Sequence, residues 1–443
     1  MQIQLSDHFT YGRLLRFVLP SILTLFFTTI YSIVDGVFVS NFVGKTAFAA
    51  VNFVMPILMV LASVGVMMGS GGSALVAKLL GEQNKDKAKQ VFSMIVYSSL
   101  IFGIIASVAI SFFMENIVSF LGADGELLTQ ATRYGRIAVL GGTAFIFQHI
   151  FYCFLIVAEK PKLSFIITVT AGITNVLLDI IFIVILKWGI SGAAFATVIG
   201  QMVGGFVPLV FFLLPNKTSL RLVKPCLDGS ALLKTSTNGI SELVSNIAMS
   251  VVSMLYNYQL IKFAGDTGVA AYGTIMYTSY IFSTFYMGYS FGRAPIVSYH
   301  YGADNTDELK NLFKKDLVIV IFAGILLTAI SEILAYPIAH IFASYDPNLF
   351  EMIHRGIYIY SFAYLLMGIN YAGSSFFTAL NNGLISAIIS FLRTFVFEII
   401  AVLTLPILFG LDGIWASGVV AEIASFAVTV VCIVALRKKY GYY

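Results

Sequence analysis

Six ionisable residues stand where a soluble chain would not put them. Asp35, Asp179, Glu242, Arg393, Glu398 and Glu422 each fall inside a long apolar run. A charge at bilayer depth costs roughly 2.5–3.5 kcal/mol on insertion scales, which makes each of them a functional candidate. The chemistry open to them is narrow: a carboxylate can hold a proton or a monovalent cation, attract a cationic solute, or pair with an arginine. At ~1.5 Å per helical residue, Asp35 lies about 27 Å from the start of its run and Asp179 about 24 Å from the start of its own. Asn175 precedes Asp179 by four residues and shares its helix face. Thr197 sits roughly 10 Å below the opposite end of the following run. These four groups share one layer in the outer half of the membrane. They form either a coupling-ion site or a set that satisfies backbone groups at broken helices.

The remaining charges divide differently. Arg393 precedes Glu398 by five residues, so a structural ion pair with Glu398 or Glu422 is expected. The glutamate left over would then attract a cationic substrate. Glu242 lies two or three turns into its run, which suits an entry or gate role better than ion binding. Met59 belongs to a methionine-rich run, and Tyr277 and Tyr280 to an aromatic one. Thioethers and aromatic faces suit flat cationic compounds, although each such residue can equally serve packing or lipid contact.

Residues placed this way need a scaffold dissolved in lipid. Of 443 residues 59% are hydrophobic and 11% charged, against roughly 25% charged in a soluble protein. Mean hydropathy is +0.92. Twelve runs can each span a bilayer, near 17–41, 49–77, 91–114, 133–157, 163–186, 190–214, 232–261, 269–296, 316–342, 356–379, 384–409 and 411–436. Eighteen lysines and arginines fall on one side of these runs and six on the other. That bias places both termini in the cytoplasm, in a multi-pass protein of the cell membrane. The net charge of +4 follows this topology and implies no nucleic acid. Cys153, Cys226 and Cys432 show no metal or disulfide spacing and are expected to be free thiols.

The chain repeats itself. Gly81–Phe92 recurs as Gly302–Phe313, and Gly44, Gly71, Gly103 and Gly192 recur 221 residues later as Gly265, Gly292, Gly324 and Gly413. One residue further out of step, Arg133 recurs as Arg355 and Ser164 as Ser386. Six spans per repeat give both halves one orientation, related by an axis along the membrane normal. The expected architecture is therefore all-α, with twelve transmembrane helices in two pseudo-symmetric lobes. The lobes are 1–214 and 232–443, joined by a cytoplasmic linker at 215–231.

The segment from Val34 and Asp35 to Gly44, followed by Ala47 to Val51, resembles the first-helix signature of the multidrug and toxic compound extrusion (MATE) family. The stretch Gly292 to Ala303 also resembles a MATE motif, in the form seen in the MepA-like branch, although Arg293 stands where a neutral polar residue is usual. The resemblance implies a cation or proton site at Asp35, Asn175, Asp179 and Thr197, with a fourth-helix polar residue near Gln148 or His149. It implies a secondary exporter of amphipathic, mainly cationic organic compounds, coupled to H⁺ or to Na⁺ held at Asp35 and Asp179. No P-loop, GxSxG or metal-ligand spacing points to an enzyme, a cofactor or an ATPase subunit. The rival readings are a flippase for lipid-linked precursors and a non-transporting membrane receptor or scaffold. The mid-span charges are mostly acidic, which disfavours a pyrophosphate-bearing substrate.

Overall fold

The computed structural model describes residues 3–225 and 228–443. Cys226 lies outside the described residues, while Cys153 and Cys432 are free thiols. The described residues contain helices and no strands. This follows from the composition, because a backbone in lipid must satisfy its own N–H and C=O groups within each spanning segment.

The first half comprises α1 (Tyr11–Val43), α2 (Lys45–Gly81), α3 (Lys85–Phe120), α4 (Gly125–Leu140 and Gly142–Val157, bent by 51°), α5 (Pro161–Ile185) and α6 (Ile190–Leu213). In the second half one continuous helix, Gly229–Gly302, covers two expected spans. Its direction breaks at Gly265, whose φ of 61° and ψ of −153° only glycine adopts easily. We therefore treat it as α7 (229–264) and α8 (266–302). Next come α9 (Thr306–Ala343) and α10, whose parts Pro347–Tyr360 and Tyr364–Ala379 join through a 3₁₀ turn. The chain ends with α11 (Gly383–Phe409) and α12 (Leu411–Tyr440). Counted this way, the described residues form twelve helical units, six in each half, of which the longest and most apolar can cross a membrane. The expected gap at 262–268 is absent because one glycine makes the whole turn.

The repeat is visible in backbone torsions. Gly44, the mate of Gly265, also has positive φ, at 120°. Gly189 (φ 58°, ψ −139°) and Gly410 (φ 59°, ψ −134°) make matching turns before α6 and α12. Gln83 and Asp304 match at φ 60° and 51°, as do Glu159 and Asn381 at 60° and 57°, the last pair one residue out of step.

Both described chain ends lie on one side of the bundle, called here the terminal side; the opposite side is the far side. The lobes meet in the terminal halves of α1, α2, α7 and α8. A Cβ on Gly81 would strike the Tyr299 carbonyl, and one on Gly302 would strike the Lys78 carbonyl. Gly71 lies against Gly239 in the same reciprocal way that Gly292 lies against Val18. Each contact and its partner are related by the repeat, as at a two-fold interface. Further along α1 and α8, Thr29 Oγ1 meets Thr284 Oγ1 at 3.4 Å.

Arg293 is not a loose variation on a motif. It is 1% exposed, paired with Asp316 of α9, and donates to the Ala372 carbonyl at 2.9 Å. Tyr289 donates to the other Asp316 oxygen at 2.6 Å. This pair joins α8 to α9 and α10 inside the second lobe.

Candidate functional site

Asp35 and Asp179 are brought to positions where a helix widens. α1 ends in a π-helical turn at Val39–Val43, four residues after Asp35, and α5 passes into another at Ile180–Ile185 directly after Asp179. Such turns shift the register of a helix face and are frequent at functional positions. The Asp35 carboxyl faces Asp179 and Asn175 across the α1–α5 interface. Asp35 is 7% exposed, Asn175 4% and Asp179 fully buried.

Hydrogen bonding is incomplete there. Both carboxylate oxygens of Asp179, Oδ1 of Asp35 and Oδ1 of Asn175 are buried with no donor among the described residues. An unsatisfied buried polar atom costs about 1–3 kcal/mol, and more if charged. Thr197 donates its Oγ1 hydrogen to the Ala193 carbonyl at 3.0 Å, so toward any further partner its oxygen can only accept. Asp35, Asn175 and Thr197 line a cleft among α1, α2, α4, α5 and α6, together with Met59. The structure thus brings together Asp35, Asn175, Asp179 and Thr197.

Gln148 stands one step away, hydrogen-bonded to Tyr31, whose hydroxyl is also within electrostatic range of Asp35. Tyr134 of α4, 1% exposed, faces Thr197 and both aspartates. Neither tyrosine was singled out from sequence. Their polar ends mark them only once their neighbours are known, because the chain has 23 tyrosines.

The second lobe pairs Arg393 and its neighbours internally. Arg393 pairs with Glu422 at 3.1 Å and lies 3.9 Å from the centre of the Tyr371 ring. Asn370 donates to the second Glu422 oxygen at 2.6 Å and accepts from Thr429 at 3.0 Å. The ion pair therefore takes Glu422 and leaves Glu398. Glu398 in turn accepts from the Tyr256 hydroxyl at 2.7 Å, and Tyr256 stacks on Tyr272 at 4.8 Å. Glu242 is half-buried on α7, in electrostatic range of Arg393 and Cys153. Met59, Tyr277 and Tyr280 are 52%, 62% and 50% exposed. Tyr280 stands within electrostatic range of Tyr31 in one lobe and Tyr371 in the other.

The sequence profile of the MatE family matches residues 20–181 and 243–404, one segment in each half. Multidrug export protein MepA of Staphylococcus haemolyticus is 26% identical over 430 residues, covering 96% of this chain and 94% of that protein. Among solved structures, one described as the outward-facing conformation of a multidrug resistance MATE family transporter of the MOP superfamily superposes with a TM-score of 0.90. It is 21% identical and covers 97% of this chain and 98% of the other. A mutant of the Vibrio cholerae MATE transporter VcmN gives 0.91 at 20% identity, covering 98% of each chain.

Proposed function

Since the chain belongs to the MatE family, we propose that it is a cation-coupled exporter of amphipathic, mainly cationic organic compounds, working by alternating access between its two lobes. The moving units are residues 1–214 and 232–443, with 215–231 as the link between them. Both termini face the cytoplasm of a cell whose membrane holds the protein, so the far side faces outward. The relatives named Multidrug export protein MepA support export of several chemically different compounds.

One observation carries the reading: two facing carboxylates, three of whose four oxygens are buried with no donor among the described residues, beside an amide oxygen in the same state. Asp35 and Asp179 cannot both stay ionised in a low-dielectric layer without a positive charge between them. The site therefore takes up a shared proton, or a monovalent cation with Asn175 and Thr197 adding neutral oxygen ligands. Loading from the outer side neutralises the pair and favours substrate release outward. Each charge carried inward contributes about 2.3 kcal/mol per 100 mV, together with its own gradient. Proton coupling is the favoured form, with Na⁺ competing weakly for the same oxygens. No ATPase subunit or cofactor takes part.

Dye efflux from vesicles under separately imposed H⁺ and Na⁺ gradients tests this. The expected result is efflux driven by the proton gradient and reduced by Na⁺ on the loading side. Efflux driven by Na⁺ and indifferent to pH would replace the proton with sodium, and no efflux under either gradient would remove the exporter reading. For the orientation, Cys226, as the one retained cysteine, should react in intact cells only with membrane-permeant thiol reagents.

A further inference from the structure

The third helix of each half begins with the same cap. Asn84 Oδ1 accepts the Lys87 N–H at 3.3 Å before α3, and Asn305 Oδ1 accepts the Glu308 N–H at 3.1 Å before α9. Lys87 and Glu308 are repeat mates, and the symmetry fails there in both charge and burial. Lys87 is exposed, whereas Glu308 is 5% exposed. The Glu308 carboxylate accepts the backbone N–H of Phe9 at 2.8 Å and the Asn311 amide at 2.7 Å, and meets His8 Nδ1 at 2.6 Å. Asn311 also donates to the Phe9 carbonyl at 3.0 Å.

The segment 3–10 is thereby fastened to the second lobe, although it leads into α1 of the first. Its other end is held by the first lobe. The Leu5 N–H donates at 2.8 Å to Oε1 of Glu159, in the turn between α4 and α5. Leu5 and Phe9 are buried in a cluster that joins Ile156 of the first lobe to Ile296, Leu309 and Phe313 of the second. The segment thus crosses the seam on the terminal side, where the reciprocal glycine contacts already bring the lobes together. The link before α7 does the converse, since the Val223 N–H donates to Ser93 Oγ of α3 at 2.9 Å.

We propose that segment 3–10 is a latch across the lobes and that Glu308 is its catch, the residue that must release Phe9 before the terminal side opens to load substrate. The proposal rests on the alternating-access reading. The His8 side chain is 66% exposed, so its ion pair adds little. The grip comes from the buried N–H donors on the carboxylate, bonds roughly twice as strong as neutral ones. Glu308 acts here through the strap and touches no substrate; it is a positioning residue.

The test uses the full chain in liposomes, with its three cysteines replaced by serine and spin labels at Lys162→Cys and Lys314→Cys on either side of the seam. Glu308→Ala should raise the population with a long terminal-side distance about tenfold or more, while His8→Ala should change it by less than about twofold. Glu308→Gln, which keeps an acceptor for Phe9, should fall between them. If Glu308→Ala fails to insert, deletion of residues 1–9 removes the strap and leaves α9 whole, and should give the same shift. Unchanged distances in both the substituted and the truncated protein overturn the latch. Dye efflux by the labelled parent under an ion gradient is measured alongside. Its failure strikes the exporter reading, whereas the distance shift judges the latch alone.

Discussion

The centres of the two lobes occupy the same place in the repeat and hold opposite chemistry. The mate of Asp35 is Tyr256, and Glu398 lies two residues before Ile400, the mate of Asp179. The first lobe therefore sets two acids against each other and leaves three of their four oxygens without a donor among the described residues, while the second gives one acid a phenol 2.7 Å away. Nearby, Arg393, Glu422, Asn370 and Thr429 satisfy one another in a closed network. A repeated backbone can thus support either a centre that needs a positive charge from solution or one complete in itself. What decides is whether a tyrosine or an aspartate stands on the first helix of the repeat.

The largest expected effect comes from removing the demand for charge. Asp35→Asn should bring gradient-driven dye efflux down to the level of empty vesicles while the protein inserts in normal amount. Efflux at the unmodified rate would break the contrast at its open end. In the second lobe, Glu422→Gln strands Arg393 and should cost about 3 kcal/mol or more of thermal stability in detergent. Arg393→Gln added to it should recover most of that loss, and the double variant should still transport. Abolished transport in a stable double variant would make the closed network part of the ion cycle.

Tyr256→Phe sharpens the comparison by taking away the built-in donor. Its stability should fall by about 1–3 kcal/mol, and by less at acid pH, where Glu398 carries its own proton. A stability change independent of pH would mean that the phenol is not what completes the site. The smallest effect is expected at Met59, which borders the cleft beside Asp35. Met59→Ala should change efflux about twofold to threefold, unequally between flat and bulky dyes, because a thioether adapts to shape and does not select it. An equal change for all dyes would point to helix packing.

Much of the scaffold was legible because lipid restricts the alternatives. Apolar runs, basic loops and the 221-residue offset led to twelve helices in two lobes, and repeat mates share their torsions at Gly189 and Gly410. Asp35, Asn175 and Asp179 stood out because polar groups in apolar runs are rare, and the fixed rise of a helix placed them at one depth. Tyr31 and Tyr134 did not stand out among so many aromatic residues that pack or meet lipid. The Arg293–Asp316 pair was hidden for another reason: its members lie 23 residues apart on different helices, and only the packing of α8 on α9 joins them. Glu308 looked like one more charge in a polar turn, although its mismatch with Lys87 was already visible in the repeat.

The turns on the far side are short. Gly44, Gly265 and Gly410 each connect two helices alone, and the other three far-side connections, 121–124, 186–189 and 344–346, have three or four residues. In the orientation proposed above, these turns and the helix ends beside them are what the cell displays outside. An antibody with a flat paratope would find little epitope there. A binder with a long protruding loop, able to enter a concave surface, is the format suited to recognising this protein on intact cells.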